Sequence, residues 1–210
     1  DSILLLDSGG QYRTGTTDIT RVFAFGKARH DATLKRHYTA VLKGHLALQN
    51  ARFPEGTTGA QLDCIARAPI WAEGLDYPHG TGHGVGVYLH VHEDAGVAFS
   101  PRSHEALKPG MILTNEPGYY REGAYGIRIE NMLIVHDTDE TLDDGRSLLA
   151  FEDLALAPYA RELIAAEMLT GAELEQLNAY HARVYDRLAD RLDTQTRDWL
   201  KAATAAIHST

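Results

Sequence analysis

The sequence predicts an α+β fold made of two matched halves, and three observations carry that prediction. Residues 12–15 and 120–123 both read Tyr-Arg-any-Gly. Each copy has an isoleucine four places after its glycine, so Tyr12, Arg13, Gly15 and Ile19 correspond to Tyr120, Arg121, Gly123 and Ile127. Each copy also has one acid upstream, Asp7 or Glu116, and one near its end, Asp18 or Glu130. Finally, the local patterns run in the order strand pair, two helices, strand pair.

In chain order, "ILLLD" (3–7) and "TDITRVFAF" (17–25) are rich in β-branched and apolar residues, with Gly15 between them, and read as a hairpin. Leu34, Tyr38, Val41, Leu42, His45 and Leu48 recur at helical spacing over 31–51, ahead of Phe53-Pro54-Glu55-Gly56. Thr57 and Thr58 as caps, followed by Leu62, Ile65 and Ala66, predict a second helix over about 58–72. A Gly/His segment occupies 76–93. Residues 109–120 and 126–135 form the second hairpin, and 148–156 one more strand. Residues 158–210 read as helical, with Leu163, Ile164, Leu174, Leu177, Tyr180, Val184, Leu188 and Leu192 as the buried side.

Composition limits the function classes. At 210 residues, 44% apolar and 23% charged, the chain can bury one good core. No stretch approaches the roughly 18–20 uninterrupted apolar residues of a membrane span. A net charge of −9 with no basic stripe argues against nucleic acid as a partner. Cys64 is the only cysteine, so no internal disulfide forms and a reducing compartment fits. The chain opens on an apolar strand without an initiator Met, as the later part of a longer protein would.

The acids are the first chemical signal. A turn at Arg13-Thr14 puts Asp7 opposite Thr20, and because side chains alternate, Asp18 shares that face. In the second hairpin a two-residue turn at Glu122-Gly123 would put Glu116 and Glu130 on opposite faces. An odd loop, or a bulge near Pro117-Gly118, is needed to bring them together. Four acids converging on buried sheet repel one another unless cations lie between them. The second signal is His79, His83, His90 and His92 within fourteen residues. His79 and His83 have the spacing of a helical zinc pair, but Gly80, Gly82 and Gly84 argue against a helix. A thiol-free set rich in carboxylates suits hard or borderline ions such as Mn²⁺. His30, His37, His45, His104, His136, His181 and His208 are read as hydrogen-bonded structural groups.

"LLLDSGGQYRTGTTDITR", "HGTGHGVG", "HVHE", "GMILTNEPGYY" and "GIRIEN", in this order, closely resemble the Xaa-Pro aminopeptidase (aminopeptidase P) family. "FEDLALAP" and "LTGAELEQLNAYHARV" resemble the C-terminal extension of its larger members. The resemblance implies the pita-bread (creatinase/aminopeptidase) fold with pseudo-two-fold duplicated halves. Residues 1–157 would be most of the catalytic domain and 158–210 a helical extension. It implies Asp7, Asp18, His83, Glu116 and Glu130 as ligands of two divalent ions, expected to be Mn²⁺ ahead of Zn²⁺ or Co²⁺, with Asp18 and Glu130 bridging. His79 and His92 match the substrate-binding and transition-state histidines, and Tyr120 and Arg128 match residues that position a ligand carboxylate. Thr14 and Asn115 depart from the family pattern, and neither removes a ligand.

The implied activity is hydrolysis of the bond before a proline in second position, by a water or hydroxide bridging the two ions. The implied setting is cytoplasmic, with neither membrane nor nucleic acid as partner and a homodimeric full-length protein. A prolidase-type dipeptidase is the nearest alternative. A catalytically silent binding module is another, although this chain keeps all five ligands. The family's N-terminal region has no counterpart in residues 1–210, so the fold is expected to be N-terminally truncated and the fragment weak or inactive.

Overall fold

Strands β1 (Ser2–Tyr12) and β2 (Gly15–Phe25) form the first hairpin in the computed structural model, which describes residues 1–93 and 96–208. Tyr12 faces Gly15 and Asp7 faces Thr20, the register expected for a turn at Arg13-Thr14. Helix α1 (Ala32–Gln49) starts where the Asp31 carboxylate accepts the Leu34 N–H at 3.0 Å. Strand β3 (Arg52–Pro54) leads to helix α2 (Gly59–Trp71), which opens on a Thr58/Gln61 capping box. The two helices touch at Gly44, where an added Cβ would lie 2.2 Å from the Ala66 carbonyl oxygen.

Two short strands, β4 (Gly82–His83) and β5 (Ala98–Phe99), pair with each other. The second hairpin is split in two. Strands β6 (Ile112–Asn115) and β9 (Asn131–Thr141) pair in a four-stranded sheet ordered β3-β10-β9-β6, where β10 is Ser147–Asp153. Its tip is formed by β7 (Gly118–Arg121) and β8 (Tyr125–Arg128). Both parts keep one register, Asn115 to Asn131 and Gly118 to Arg128, so Glu116 and Glu130 lie across from each other. The turn spans residues 122–124, with Gly123 at φ +68°, where glycine is favoured. The odd loop is therefore the device in use, and no bulge at Pro117-Gly118 is needed. A bridge between Thr20 and Glu130 joins the two hairpins.

The C-terminal region corrects the expectation of continuous helix. Helices α3 (Gly171–Leu188) and α4 (Thr194–Ala203) form, but residues 154–170 are irregular, with 3₁₀ turns at Arg161–Leu163 and Ala166–Met168. Their backbone donors go elsewhere: Tyr159 N–H to His181 Nε2, Ala160 N–H to Tyr38 Oη and Ala165 N–H to Thr39 Oγ1. Leu163, Ile164, Leu177, Tyr180 and Val184 are buried, whereas Leu174, Leu188 and Leu192 are only partly covered.

Two apolar cores result. One packs β2 and β8 against α1 and the C-terminal region, through Val22, Tyr38, Leu42, Ile127, Leu163 and Leu177. The other packs α1 and α2 on the four-stranded sheet, through Leu48, Leu62, Leu113, Leu133 and Phe151. Helix α1 is common to both.

Candidate metal centre

The hairpin registers decide which carboxylates meet. Asp7, Asp18 and Thr20 share one face of the first hairpin, and the Thr20–Glu130 bridge brings Glu130 to that face. Thr20 Oγ1 donates to Glu130 Oε2 at 2.5 Å and accepts from Arg128 Nε at 3.2 Å. His83 arrives on β4, which can lie close to β6 because residue 82 is glycine: a Cβ there would stand 1.9 Å from the Thr114 carbonyl oxygen. The His83 N–H donates to Thr114 Oγ1, which donates to Glu116 Oε1, each at 3.0 Å.

His83 Nδ1 lies 2.8 Å from the Gly84 carbonyl oxygen and so carries the proton it donates. That leaves Nε2 facing Asp18 Oδ2 at 3.6 Å and Glu116 Oε1 at 3.5 Å. Ligand atoms of Asp18, His83 and Glu130 all lie within 4.8 Å of one another. Asp7 is outside this group. Its exposed carboxylate accepts from Arg128 Nη2 at 2.6 Å.

The charges in the site are strained. Burial pushes the Glu130 carboxyl up to about 8, and the neighbouring Glu116, Asp18 and Asp7 add to it against the Thr20 hydrogen bond. Burial also raises Glu116, in spite of His83, Thr114 and Arg128. For His83, burial favours the neutral ring, but hydrogen bonds to Asp18 and Gly84 and the charge of Glu116 outweigh it and raise its pKa. His79 is lowered, by burial first and then by Arg128 and Arg67. One buried and one half-buried carboxyl held above their usual range, beside a third acid and an imidazole, form a donor set that positive charge would relieve. The residues fit divalent cations.

A cleft of about 350 Å³ opens here, lined by His79, His83, His92, Glu116 and Arg128. His79 Nδ1 lies 2.7 Å from the Gly80 carbonyl oxygen and Nε2 lies 2.8 Å from Tyr120 Oη. Arg128 Nη1 donates to Tyr120 Oη at 3.0 Å, so the chain His79–Tyr120–Arg128–Asp7 is continuous. The His92 ring stands edge-to-face on His83, with centroids 4.4 Å apart. His90 is exposed in the preceding loop. A larger groove of about 570 Å³ beside Phe25 and Trp199 contains none of these groups.

Sequence reasoning missed three contributors. Thr20 was placed on the ligand face without being given a task. Arg67 on α2 is buried: Nε donates to Asp63 Oδ2 (2.7 Å), Nη1 to the Tyr77 carbonyl (3.0 Å) and Nη2 to the His79 carbonyl (2.6 Å). Asp63 Oδ1 in turn accepts from Thr81 Oγ1 at 2.5 Å. The pair thus holds the glycine-rich segment between the two histidines, and its only sequence signal is an i, i+4 spacing that also describes a surface ion pair. Asn115, one of the departures, is buried and donates to the His45 carbonyl at 2.9 Å, whereas Thr14 is exposed at a hairpin tip.

Comparison with known proteins gives consistent matches. The model of metallopeptidase family M24 matches residues 1–137, and that of the C-terminal region of peptidase M24 matches residues 147–207. Aminopeptidase P1 of Lotus japonicus is 50% identical over 210 residues, covering 99% of this chain and 32% of the relative. A probable Xaa-Pro aminopeptidase P of Fusarium vanettenii is 48% identical, covering 99% of this chain and 34% of the relative. The X-prolyl aminopeptidase of Caenorhabditis elegans, a cytosolic enzyme with a di-nuclear active site, superposes with a TM-score of 0.87 at 38% identity. That match covers 98% of this chain and 34% of the solved one. A Xaa-Pro dipeptidase from Bacillus anthracis gives 0.60 at 35% identity, covering 75% and 40%. The chain thus spans about a third of the length of the curated relatives it matches.

Proposed function

The chain belongs to metallopeptidase family M24 and has its pita-bread fold, and on that premise we propose that it is the metal-bearing part of an Xaa-Pro aminopeptidase. One observation carries the reading. Glu130, buried, and Glu116, half-buried across from it, are both held above the usual carboxylate range, with Asp18 and His83 around them. Asp7, Asp18, His83, Glu116 and Glu130 would hold two divalent ions, with Asp18 and Glu130 shared between them. The oxygen-rich donors and single imidazole suit Mn²⁺, with Zn²⁺ and Co²⁺ compatible. When bound, the ions supply Lewis acidity toward a substrate carbonyl and acidify water.

The chain's own residues orient and stabilise. His83 offers Nε2 because its Nδ1 proton is committed to Gly84. His79, its pKa lowered by burial and its ring held by Gly80 and Tyr120, lines the cleft where a substrate would enter. His92 is the donor available to a developing oxyanion. Arg128 holds Asp7 and Tyr120 together and keeps positive charge beside Glu116. The bond before proline has no N–H on its nitrogen, so recognition rests on the proline ring and the free N-terminus.

Residues 1–157 are the catalytic part in this reading and 158–210 their support. The full-length protein acts in the cytosol as a homodimer on peptides with proline in second position. The test is hydrolysis of an Xaa-Pro-Yaa peptide against an Xaa-Pro dipeptide, with Mn²⁺, by the full-length protein and by residues 1–210, with metal content measured on both. The expected result is cleavage of the longer peptide by the full-length protein, and two bound ions but poor turnover for the 210-residue chain. Preference for the dipeptide would make the protein a prolidase-type enzyme, and a chain that binds no metal would be a silent binding module.

A further inference from the structure

Arg21 follows Thr20 in β2 and so points to the opposite face of the first hairpin from Asp7 and Asp18. It is 5% exposed and forms no salt bridge among the described residues. Its charge is met by dipoles. Nη1 donates to the Thr20 carbonyl at 2.9 Å and to the Glu130 carbonyl at 2.7 Å. Nη2 donates to Asn131 Oδ1 (2.7 Å), the Ala157 carbonyl (2.8 Å) and Tyr180 Oη (3.1 Å), and Nε to the Pro158 carbonyl at 3.1 Å. The guanidinium also lies 4.8 Å from the centre of the Tyr159 ring.

The two carbonyls on Nη1 belong to the residues at which the hairpins cross, where Thr20 O already accepts the Glu130 N–H at 3.2 Å. One nitrogen of the guanidinium fork therefore ties the strand bearing Asp18 to Glu130, the residue just before β9. What holds the fork comes from far along the chain. Tyr180 Oη, on α3, takes the Ala157 N–H at 3.2 Å, lies 3.3 Å from Asn131 Nδ2 and has the carbonyls of Ala155 (3.2 Å) and Ala157 (3.0 Å) within reach of its single proton. Buried networks of this kind fix geometry because every member is satisfied only in one arrangement.

We infer that Arg21 and Tyr180 are positioning residues of the metal centre, so that the C-terminal region, through Tyr180 and the 155–158 segment, sets the placement of Glu130. This rests on the two-ion reading above. Partners bonded directly to a ligating group are worth about 10- to 100-fold in metal affinity. Arg21 acts through the Glu130 backbone carbonyl and Tyr180 through Arg21, so the lower end of that range is the expectation. The experiment titrates Mn²⁺ calorimetrically into residues 1–210 at a temperature where each variant is folded, and records the spin-coupled Mn²⁺ resonance spectrum. Tyr180→Phe keeps the ring and removes the hydroxyl, Arg21→Lys keeps charge and loses the fork, and Leu177→Ala, fully buried on the same helix, serves as the packing control.

The expected result is two ions in the parent chain, the weaker bound about 10-fold less tightly in Tyr180→Phe and at least as much so in Arg21→Lys, with altered spin coupling. Leu177→Ala should lower Tm further and leave both affinities unchanged. Unchanged affinity in Tyr180→Phe overturns the inference, as does an equal loss in Leu177→Ala. Should Arg21→Lys fail to fold, Tyr180→Phe and its control decide alone. A parent chain that binds fewer than two ions removes the two-ion reading and the inference together.

Discussion

Replacing Glu130 by glutamine should abolish most of the pH dependence of stability in the metal-stripped chain. Glu130 is 2% exposed, and burial with three neighbouring acids holds its carboxyl at about 8 instead of the ordinary 4.5. The folded state therefore binds this proton more tightly than the unfolded state does. Its contribution to stability is complete below about pH 4.5 and is lost as pH rises through about 8. At about 1.4 kcal/mol per tenfold difference in proton affinity, the loss between pH 5 and 9 is about 3–5 kcal/mol. For a chain of this length that is a fall in Tm of roughly 10 °C.

Glutamine keeps an oxygen to accept the Thr20 hydroxyl and carries no charge, so Glu130→Gln should track the wild type at pH 5 and exceed it at pH 9. Thermal melts by circular dichroism in excess chelator at pH 5, 7 and 9 measure both. Parallel pH slopes for the two proteins would refute the reasoning, because the buried charge would then not be the source of the dependence.

Three further outcomes follow from the same site. Excess chelator should lower the wild-type Tm, and by more at pH 8 than at pH 5.5, because ions displace protons from Glu130 and Glu116 only as these deprotonate; a chelator effect that shrinks with pH would contradict this. In the full-length enzyme, His83→Ala should lose metal together with turnover, whereas His92→Ala should keep metal and lose about 100- to 1,000-fold in kcat; equal metal loss in both would reverse the assignment. Arg67→Met should cost about 3–5 kcal/mol by stranding the buried Asp63. Asp63→Asn added to it should restore part of that stability, while kcat stays low because the His79 carbonyl has lost its donor.

The parts of the fold governed by local periodicity were legible. The first hairpin's register followed from pairing Tyr12 with Gly15, α1 formed within the expected 31–51, and α2 opened on Thr58 as its threonine caps implied. The second hairpin could be posed only as a condition, since sequence does not state loop length. The strand read over 148–156 ends at Asp153. Residues 158–170 do not follow the helical reading, because N–H groups of the 159–165 stretch are taken by His181, Tyr38 and Thr39, partners that no periodic pattern displays. The candidate ligand types were readable as clustered acids and histidines, and the roles proposed for them rest on family resemblance. Arg21, Arg67 and Thr20 escaped because their importance lies in what they touch across the fold: an arginine in a strand and another on a helix look alike in sequence whether they face water or six acceptors.

Hairpin tips ordinarily tolerate insertions, being exposed and remote from any core. The tip at 122–124 does not have that freedom, because it counts. Its chemistry is nearly open: Glu122 and Ala124 could be many residues, and only Gly123 is constrained in kind by its φ of +68°. Its parity is closed. As long as the turn keeps three residues, adding or removing one slides the pairing and sends Glu116 and Glu130 to opposite faces, and a change of two restores the match. A single added residue is harmless only where the turn itself lengthens to hold it. A lesion at the tip would thus look like the loss of one of the clustered acids in a protein whose acids are all present. The loop's sequence can vary widely as long as its length changes in pairs or the turn itself takes up the odd residue.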